Sequence, residues 1–328
     1  MKALIYTGPH AVEMQELPDP IAQDGDALIE IKSVGICGSD MHAYHGQDTR
    51  RPPPLVLGHE AAGVVRGGEL SGSRVTVNPL VSCSTCLFCR RDQSNLCASR
   101  QIISMPPRAG AFAELLTMPV GNLVMVPDHV SFDVAALAEP LAVCWHGVRI
   151  ALEKATVAAA ETRALVIGGG AIGFGSVLCA EAFGVRDLTL VETNPRRAEH
   201  LRALMTHKVI TPDEVADSDF DLIIDAAGYG PTRALASRAA RPGGVICHLG
   251  LGDSLEGLDM RRITLQEITF LGSYTYTQRD FRDTCMAMFD GHLGPLDWAE
   301  RRPLDAGPQA FADIDAGAVQ APKIILNP

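Results

Sequence analysis

The residues able to do chemistry crowd into the first hundred positions. "SCSTCLFCRRDQSNLC", residues 82–97, carries Cys83, Cys86, Cys89 and Cys97. The spacing C-x2-C-x2-C-x7-C can close four thiolates around one tetrahedral zinc, and four protein ligands leave no position for water or substrate. Such a site is structural. In a reducing cytosol a tight cysteine cluster binds metal more often than it forms disulfides. A zinc ribbon gripping nucleic acid is the rival reading, but ribbons space two CxxC knuckles roughly 15–20 residues apart, and this cluster is one compact lobe. Upstream, "GICGSDMHAYHG" holds Cys37, Ser39, Asp40, His42 and His45, and "LGHEAAGVV" holds His59 and Glu60, with His59 lying 22 residues after Cys37. Thiolate, imidazole and carboxylate in glycine-bearing turns can supply three ligands and keep one position open, the arrangement of a catalytic zinc.

A third set lies mid-chain, in "RALVIGGGAIGFGSVLCAEAFGVRDLTLVETNPRRAEHL". An apolar β-type run at 164–167 is followed by Gly168, Gly170 and Gly173 in a G-x-G-x-x-G turn that also contains Ile172. An apolar helical stretch runs to Phe183, and a second strand at 187–191 ends at Glu192. Strand, glycine turn, helix, strand and acid form the dinucleotide fingerprint. The turn and helix N-terminus can hold a pyrophosphate while the carboxylate takes the ribose hydroxyls.

These sets need elements to hold them. Strands are expected at 220–228, 244–252 and 268–277, with a helix over "TRALASRAA" between the first two. Strands alternating with helices imply a parallel, doubly wound sheet binding its ligand at the carboxyl edge. The first 130 residues instead show short strands, many Pro and Gly and little helical period, and read as a mostly β domain. At ~100–200 residues per domain, 328 residues suggest two. Cys144, Cys179, Cys247 and Cys285 fall in apolar runs and read as inert core thiols. Tyr274 and Tyr276 read as packing residues on a strand.

Composition limits the partners. A net charge of −11 with no basic block makes nucleic acid or an anionic membrane a poor partner. The N-terminus shows no apolar signal region, and the longest uncharged run, residues 164–180, is broken by five glycines. A cytoplasmic protein with no membrane contact is expected.

Together the pieces resemble the zinc-dependent medium-chain dehydrogenase/reductase (alcohol dehydrogenase) family, and within it the polyol branch of sorbitol, idonate, galactitol phosphate and threonine dehydrogenases. The resemblance rests on "GICGSDMHAYHG", "LGHEAAGVV", the four-cysteine lobe, "GAFAELLTMP", "AALAEPLAV", "VIGGGAIG" and "APKIIL", and covers nearly the whole chain. It implies an α/β protein with a GroES-like β-rich catalytic domain at 1–148, a Rossmann NAD-binding domain at 149–274 and a return to the catalytic domain at 275–328. It implies two zinc ions per chain and NAD. Cys37, His59 and Glu60 would hold the catalytic zinc, and Glu139 of "EPLAV" would reach it directly or through water. Ser39 would take the substrate's proton and His42 would pass it outward; His45 reads as structural. Arg197, five residues after Glu192, would donate to the ribose. The implied reaction is hydride transfer from a secondary alcohol, a polyol or sugar alcohol, to NAD in a homo-oligomer, dimer or tetramer. A threonine-type amino-alcohol dehydrogenase and a non-catalytic dinucleotide-binding member are the alternatives. "VVRGGELSGSRVTV" is shorter than the family's usual stretch, which would trim a surface turn. "ISMPPRAG" lies where the family partly builds its substrate cleft.

Overall fold

In the strand Asp26–Gly35 the buried positions alternate, with Ala27, Ile29 and Ile31 facing inward. This period of two is that of a half-buried strand. It sits inside a largely antiparallel sheet whose strands run in the order Leu123–Met125, Arg74–Val77, Glu60–Arg66, Asp26–Gly35, Lys323–Asn327 and Ala299–Pro303. The last two pair parallel and come from the end of the chain, so the C-terminus returns to the first sheet. The structure, a computed structural model, describes residues 1–252 and 255–328.

A second sheet, wholly parallel, is ordered Lys208–Ile210, Asp187–Val191, Arg163–Ile167, Phe220–Asp225, Ala240–His248 and Thr269–Gly272. Its inner strands are buried on both faces, as parallel sheets require, while the edge strands Lys208–Ile210 and Thr269–Gly272 are partly exposed. Ala164, Val166, Leu190 and Ile224 point into one core and Leu165, Ile167, Val191 and Ile223 into another. The first core is covered by the helices Ala138–Leu152, Ala171–Ala182 and Gln278–Phe289. The second is covered by Gly230–Ala239 and Met260–Leu265. The order reverses between Asp187–Val191 and Phe220–Asp225, on either side of Arg163–Ile167, so the glycine turn that follows this central strand lies at the switch point where doubly wound sheets bind ligands.

Three expected strands end earlier than their sequence suggested: 220–228 is Phe220–Asp225, 244–252 is Ala240–His248, and the last is cut the most. The strand anticipated at 268–277 spans only Thr269–Gly272. Thr275 takes a φ of 47°, outside extended geometry, and the chain turns so that Tyr276 becomes buried. The helix Ala138–Leu152 is continuous through residue 148. Among the described residues no helix is long and apolar enough to cross a membrane.

Candidate active site

Cys37 is the N-cap of the short helix Gly38–Tyr44, and its backbone N–H donates to the Asp40 carboxylate at 3.0 Å. His59 and Glu60 arrive from the start of the next long strand, both buried. One Cys37, one His59 and one Glu60 ligand atom all lie within 4.8 Å of one another. This donor set fits a zinc ion on three counts. It is the thiolate–imidazole–carboxylate combination that borderline metals favour. Glu60 Oε2 is buried without a hydrogen-bond partner among the described residues, an unfavourable placement that a cation would relieve. Gly35, where a Cβ would fall 2.0 Å from that oxygen, leaves the space the carboxylate uses.

The surrounding charges are arranged to hold these groups. Asp40, fully buried, places Oδ1 3.6 Å from His59 Nδ1. Burial is the largest influence and works against its charge, but His59, Arg51 and the Cys37 amide together outweigh it and the Asp40 pKa is lowered. This is the carboxylate–histidine contact that orients a metal-bound imidazole. Ser39 Oγ lies 3.5 Å from His59 Nε2. Glu139 begins the helix Ala138–Leu152, close enough to feel the charges of His59 and Glu60; burial pushes its pKa up to about 7. Tyr276 donates its hydroxyl to Glu139 at 2.8 Å. His42 is half-buried in the last turn of its helix and makes no side-chain hydrogen bond among the described residues.

A cleft of about 770 Å³ reaches both Cys37 and the glycine turn. Gly168 holds a φ of 101°, and a Cβ on Gly173 would strike the Gly168 carbonyl oxygen at 1.6 Å, so the turn is open to glycine alone at both points. Gly170, Ile172, Glu192 and Arg197 line the same cleft. The buried Glu192 carboxylate accepts backbone N–H bonds from Gly169 at 3.0 Å and Asn194 at 2.7 Å. Asn194 also caps the helix Pro195–Leu204, accepting from the Arg196 and Arg197 amides. That places Arg197 with Nη1 3.6 Å from Glu192 and its buried Nε unpartnered.

Residues 23–128 match the family model described as the alcohol dehydrogenase GroES-like domain, and residues 171–290 match that of zinc-binding dehydrogenase. The chain is 32% identical over 312 residues to L-galactonate-5-dehydrogenase of Escherichia coli, covering 89% of this chain and 88% of that protein. It is also 32% identical to L-idonate 5-dehydrogenase of Vitis vinifera over 274 residues, covering 76% and 74%. The chain belongs to the zinc-binding alcohol dehydrogenase family. It is an alcohol oxidoreductase whose cofactors are zinc and NAD(P). Among solved structures, an alcohol dehydrogenase from Thermus sp. ATN1 superposes with a TM-score of 0.88 at 26% identity, covering 100% of this chain and 99% of that one.

As a zinc-binding dehydrogenase, the chain carries three site residues that the sequence did not reveal. Lys323 is buried, its Nζ 2.6 Å from Glu60 Oε1 and 2.9 Å from the Ile36 carbonyl oxygen. Burial is the largest influence and would depress the lysine; Glu60, Cys37 and Glu139 together override it and the pKa is raised. Its one sequence signal was a lysine inside the apolar "PKIIL". Arg51 is buried, with Nη2 3.4 Å from Ser39 Oγ and Nη1 2.6 Å from Asp48. Ser104, in "ISMPPRAG", sets its hydroxyl 3.4 Å from His59 Nδ1 and accepts from Arg51 through its carbonyl oxygen. Both cross from segments the motifs did not reach.

The four-cysteine lobe is built locally. Its thiols stand 3.5–3.9 Å apart in the Cys86–Cys89, Cys83–Cys97 and Cys83–Cys89 pairs. A tetrahedron with ~2.3 Å Zn–S bonds puts sulfurs ~3.8 Å apart. Backbone N–H groups of Thr85 and Cys86 lower Cys83 to about 6, while burial raises Cys89 to about 11. A cation is what allows all four to ionise together. The lobe docks on residues 274–278: Asn95 donates to the Tyr274 carbonyl oxygen, Arg100 lies over the Tyr274 ring, and Gln278 donates to Ser94. The two tyrosines read as packing therefore hold the lobe and Glu139 respectively. Cys144, Cys179, Cys247 and Cys285 are buried, and burial raises each thiol pKa.

Proposed function

We propose that this dehydrogenase oxidises the secondary hydroxyl of a polyol or related sugar derivative, with NAD rather than NADP as acceptor. The observation that carries the reading is a single cleft running from a glycine turn with a partnered acid, Glu192, to half-buried Cys37, behind which His59 and Glu60 are buried, one Glu60 oxygen being unsatisfied. The relatives named for idonate and galactonate act on polyhydroxylated substrates, and their similarity supports the substrate class.

In this reading Cys37, His59 and Glu60 hold the catalytic zinc and Cys83, Cys86, Cys89 and Cys97 the structural one. When bound, zinc supplies a Lewis acid for the alcohol oxygen and the nicotinamide accepts hydride. The chain's own residues do the rest. Ser39 receives the hydroxyl proton, held by long contacts to His59 and Arg51. His42, one turn on, passes it to water. Asp40 and Ser104 hold the His59 ring, and Lys323 neutralises one Glu60 oxygen. Glu139, with a pKa near 7 and Tyr276 fixing it, can exchange a proton near neutral pH. Gly168, Gly170, Ile172 and Gly173 cradle the pyrophosphate, while Glu192 and Arg197 take the adenosine ribose.

The reading divides the chain into a catalytic domain at 1–148 and 275–328 and a nucleotide domain at 149–274. It includes a homo-oligomer, supported by exposed Leu251, Met260 and Leu265 near the open edge strand Thr269–Gly272, and a cytoplasmic location, supported by nine free cysteines. The test is hydride transfer by the zinc-loaded enzyme across sugar alcohols, sugar acids and amino alcohols with both nucleotides. Reduction of NAD by the first two groups is expected. Turnover confined to amino alcohols, or absent throughout, overturns the substrate assignment.

A further inference from the structure

Three ligating side chains outside the dehydrogenase site converge on the opposite end of the helix that starts at Cys37. We propose that His10, His45 and Asp315 form a third metal site, a surface site for a borderline transition-metal cation such as Zn²⁺. His10 comes from the turn between the strands Lys2–Gly8 and Ala11–Glu16, His45 is the C-cap of Gly38–Tyr44, and Asp315 ends the helix Gly307–Asp315. One ligand atom from each falls within 4.8 Å of the other two.

The geometry exceeds what a surface hydrogen bond needs. His45 Nε2 lies 2.7 Å from Asp315 Oδ1, an ordinary bond that accounts for that pair. His10 is different. Its Nδ1 stands 3.7 Å from Asp315 Oδ2, too far for a hydrogen bond, and its ring nitrogens have no hydrogen-bond partner among the described residues. It is nonetheless held in place. Its backbone N–H donates to the Tyr44 carbonyl oxygen at 2.6 Å, and its ring packs edge-on against Tyr44, 5.1 Å between centroids and 5.3 Å from the His45 ring. Ligand atoms around a tetrahedral zinc with ~2.0–2.1 Å bonds stand ~3.3 Å apart, between the 2.7 and 3.7 Å seen here. Two imidazoles and a carboxylate suit zinc over calcium or magnesium, which take oxygen ligands. All three side chains are open to solvent, 58%, 30% and 39% exposed for His10, His45 and Asp315, so an ion can enter and complete its shell with water.

Such an ion clips together three segments far apart in the chain. The helix it grips at His45 carries Ser39 and is capped by Cys37 roughly 12 Å away, at 1.5 Å per residue. Occupancy therefore braces the element that positions the dehydrogenase site, without touching it.

Untagged protein with its zinc sites filled should take up a third zinc per chain on equilibration with micromolar Zn²⁺, and its melting temperature should rise. Co²⁺ added to that protein should give visible absorption without the thiolate charge-transfer band that either cysteine-containing site would show. His10→Asn, which tolerates the left-handed backbone at φ 58°, His45→Ala and Asp315→Asn should each weaken the third equivalent by ~100-fold or more. Retention of two zinc ions in a variant reports that its fold is intact. A wild-type protein that stops at two, or a third ion held equally by all three variants, overturns the site.

Discussion

The four-cysteine lobe and the Cys37/His59/Glu60 set both gather donors that could hold a metal ion, yet they are made in opposite ways. The lobe draws all its ligands from 15 consecutive residues, and its charge is managed by backbone amides on a partly exposed loop. The other set joins a helix cap, a strand start and, through Lys323, the last strand of the chain; it buries His59, Glu60 and Lys323 and leaves Cys37 half-buried at the cleft. A closed site can be specified by local spacing. A site that keeps a position open for substrate must instead exclude water and hold ligands by long-range contacts. Breaking the two should therefore produce different failures.

The largest contrast comes from chelation. Mild chelation should strip the Cys37/His59/Glu60 ion first and reduce turnover by more than ~1,000-fold, since several kcal/mol of stabilisation go with it at 1.36 kcal/mol per tenfold, while circular dichroism reports a folded chain. Cys97→Ala should do the reverse, lowering the melting temperature while the catalytic ion stays. Equal loss of both ions would erase the distinction. Next, in protein stripped of the Cys37/His59/Glu60 ion, Lys323→Met should cost about 3–5 kcal/mol in denaturant unfolding, because it leaves the Glu60 carboxylate buried with no cation. A second change, Glu60→Gln, should recover part of that cost, and strict additivity in the double variant would show that the pair does not interact.

The open site should also be the one that moves protons. Ser39→Ala should cut turnover by ~100-fold or more and His42→Ala by ~10–100-fold, within the range of general acid–base contributions. Imidazole buffer should partly restore only the second, and unchanged rates in both would remove them from the reaction. Glu192 is a buried acid of a third kind, satisfied by amides rather than by a lysine. Two unit charges ~4 Å apart at an effective dielectric of ~20 repel by roughly 4 kcal/mol, and half of that corresponds to about 30-fold in favour of NAD at 1.4 kcal/mol per decade. Glu192→Ala should relax this preference toward NADP, leaving Arg196 and Arg197 for the 2′-phosphate. A wild-type enzyme that already prefers NADP would contradict the assignment.

The smallest effect concerns the frame beneath the open site. Burial opposes the Asp280 charge, but hydrogen bonds from His146, Arg149 and Thr277 outweigh it and hold the pKa well below 3.8. A depressed carboxylate adds stability that is complete above its unfolded value and lost as pH falls through its native one. Asp280→Asn should thus be less stable near neutrality and flatter in its acid limb, as read by urea melts across pH. Parallel acid limbs in variant and wild type would show that Asp280 contributes nothing to it.

What could be read from the sequence follows the same division. The cysteine lobe, the glycine turn and Glu192 were legible because their chemistry is local: a spacing, a positive φ that only glycine tolerates, an acid at a strand end. The parallel sheet was legible because alternating apolar runs repeat. The strand expected through Tyr276 ended early because apolar and aromatic composition cannot report that Thr275 takes a positive φ. Lys323, Arg51 and Ser104 were silent for another reason. A buried lysine, arginine or serine is recognised by its partner, and those partners, Glu60, Ser39 and His59, lie 263, 12 and 45 residues away. The sequence by itself determined which residues can ligate and where the nucleotide turn falls, since both depend on near neighbours. Only the tertiary structure decided which buried charges compensate one another, because burial removes the water that would otherwise solvate a charge and leaves that task to residues distant in the chain.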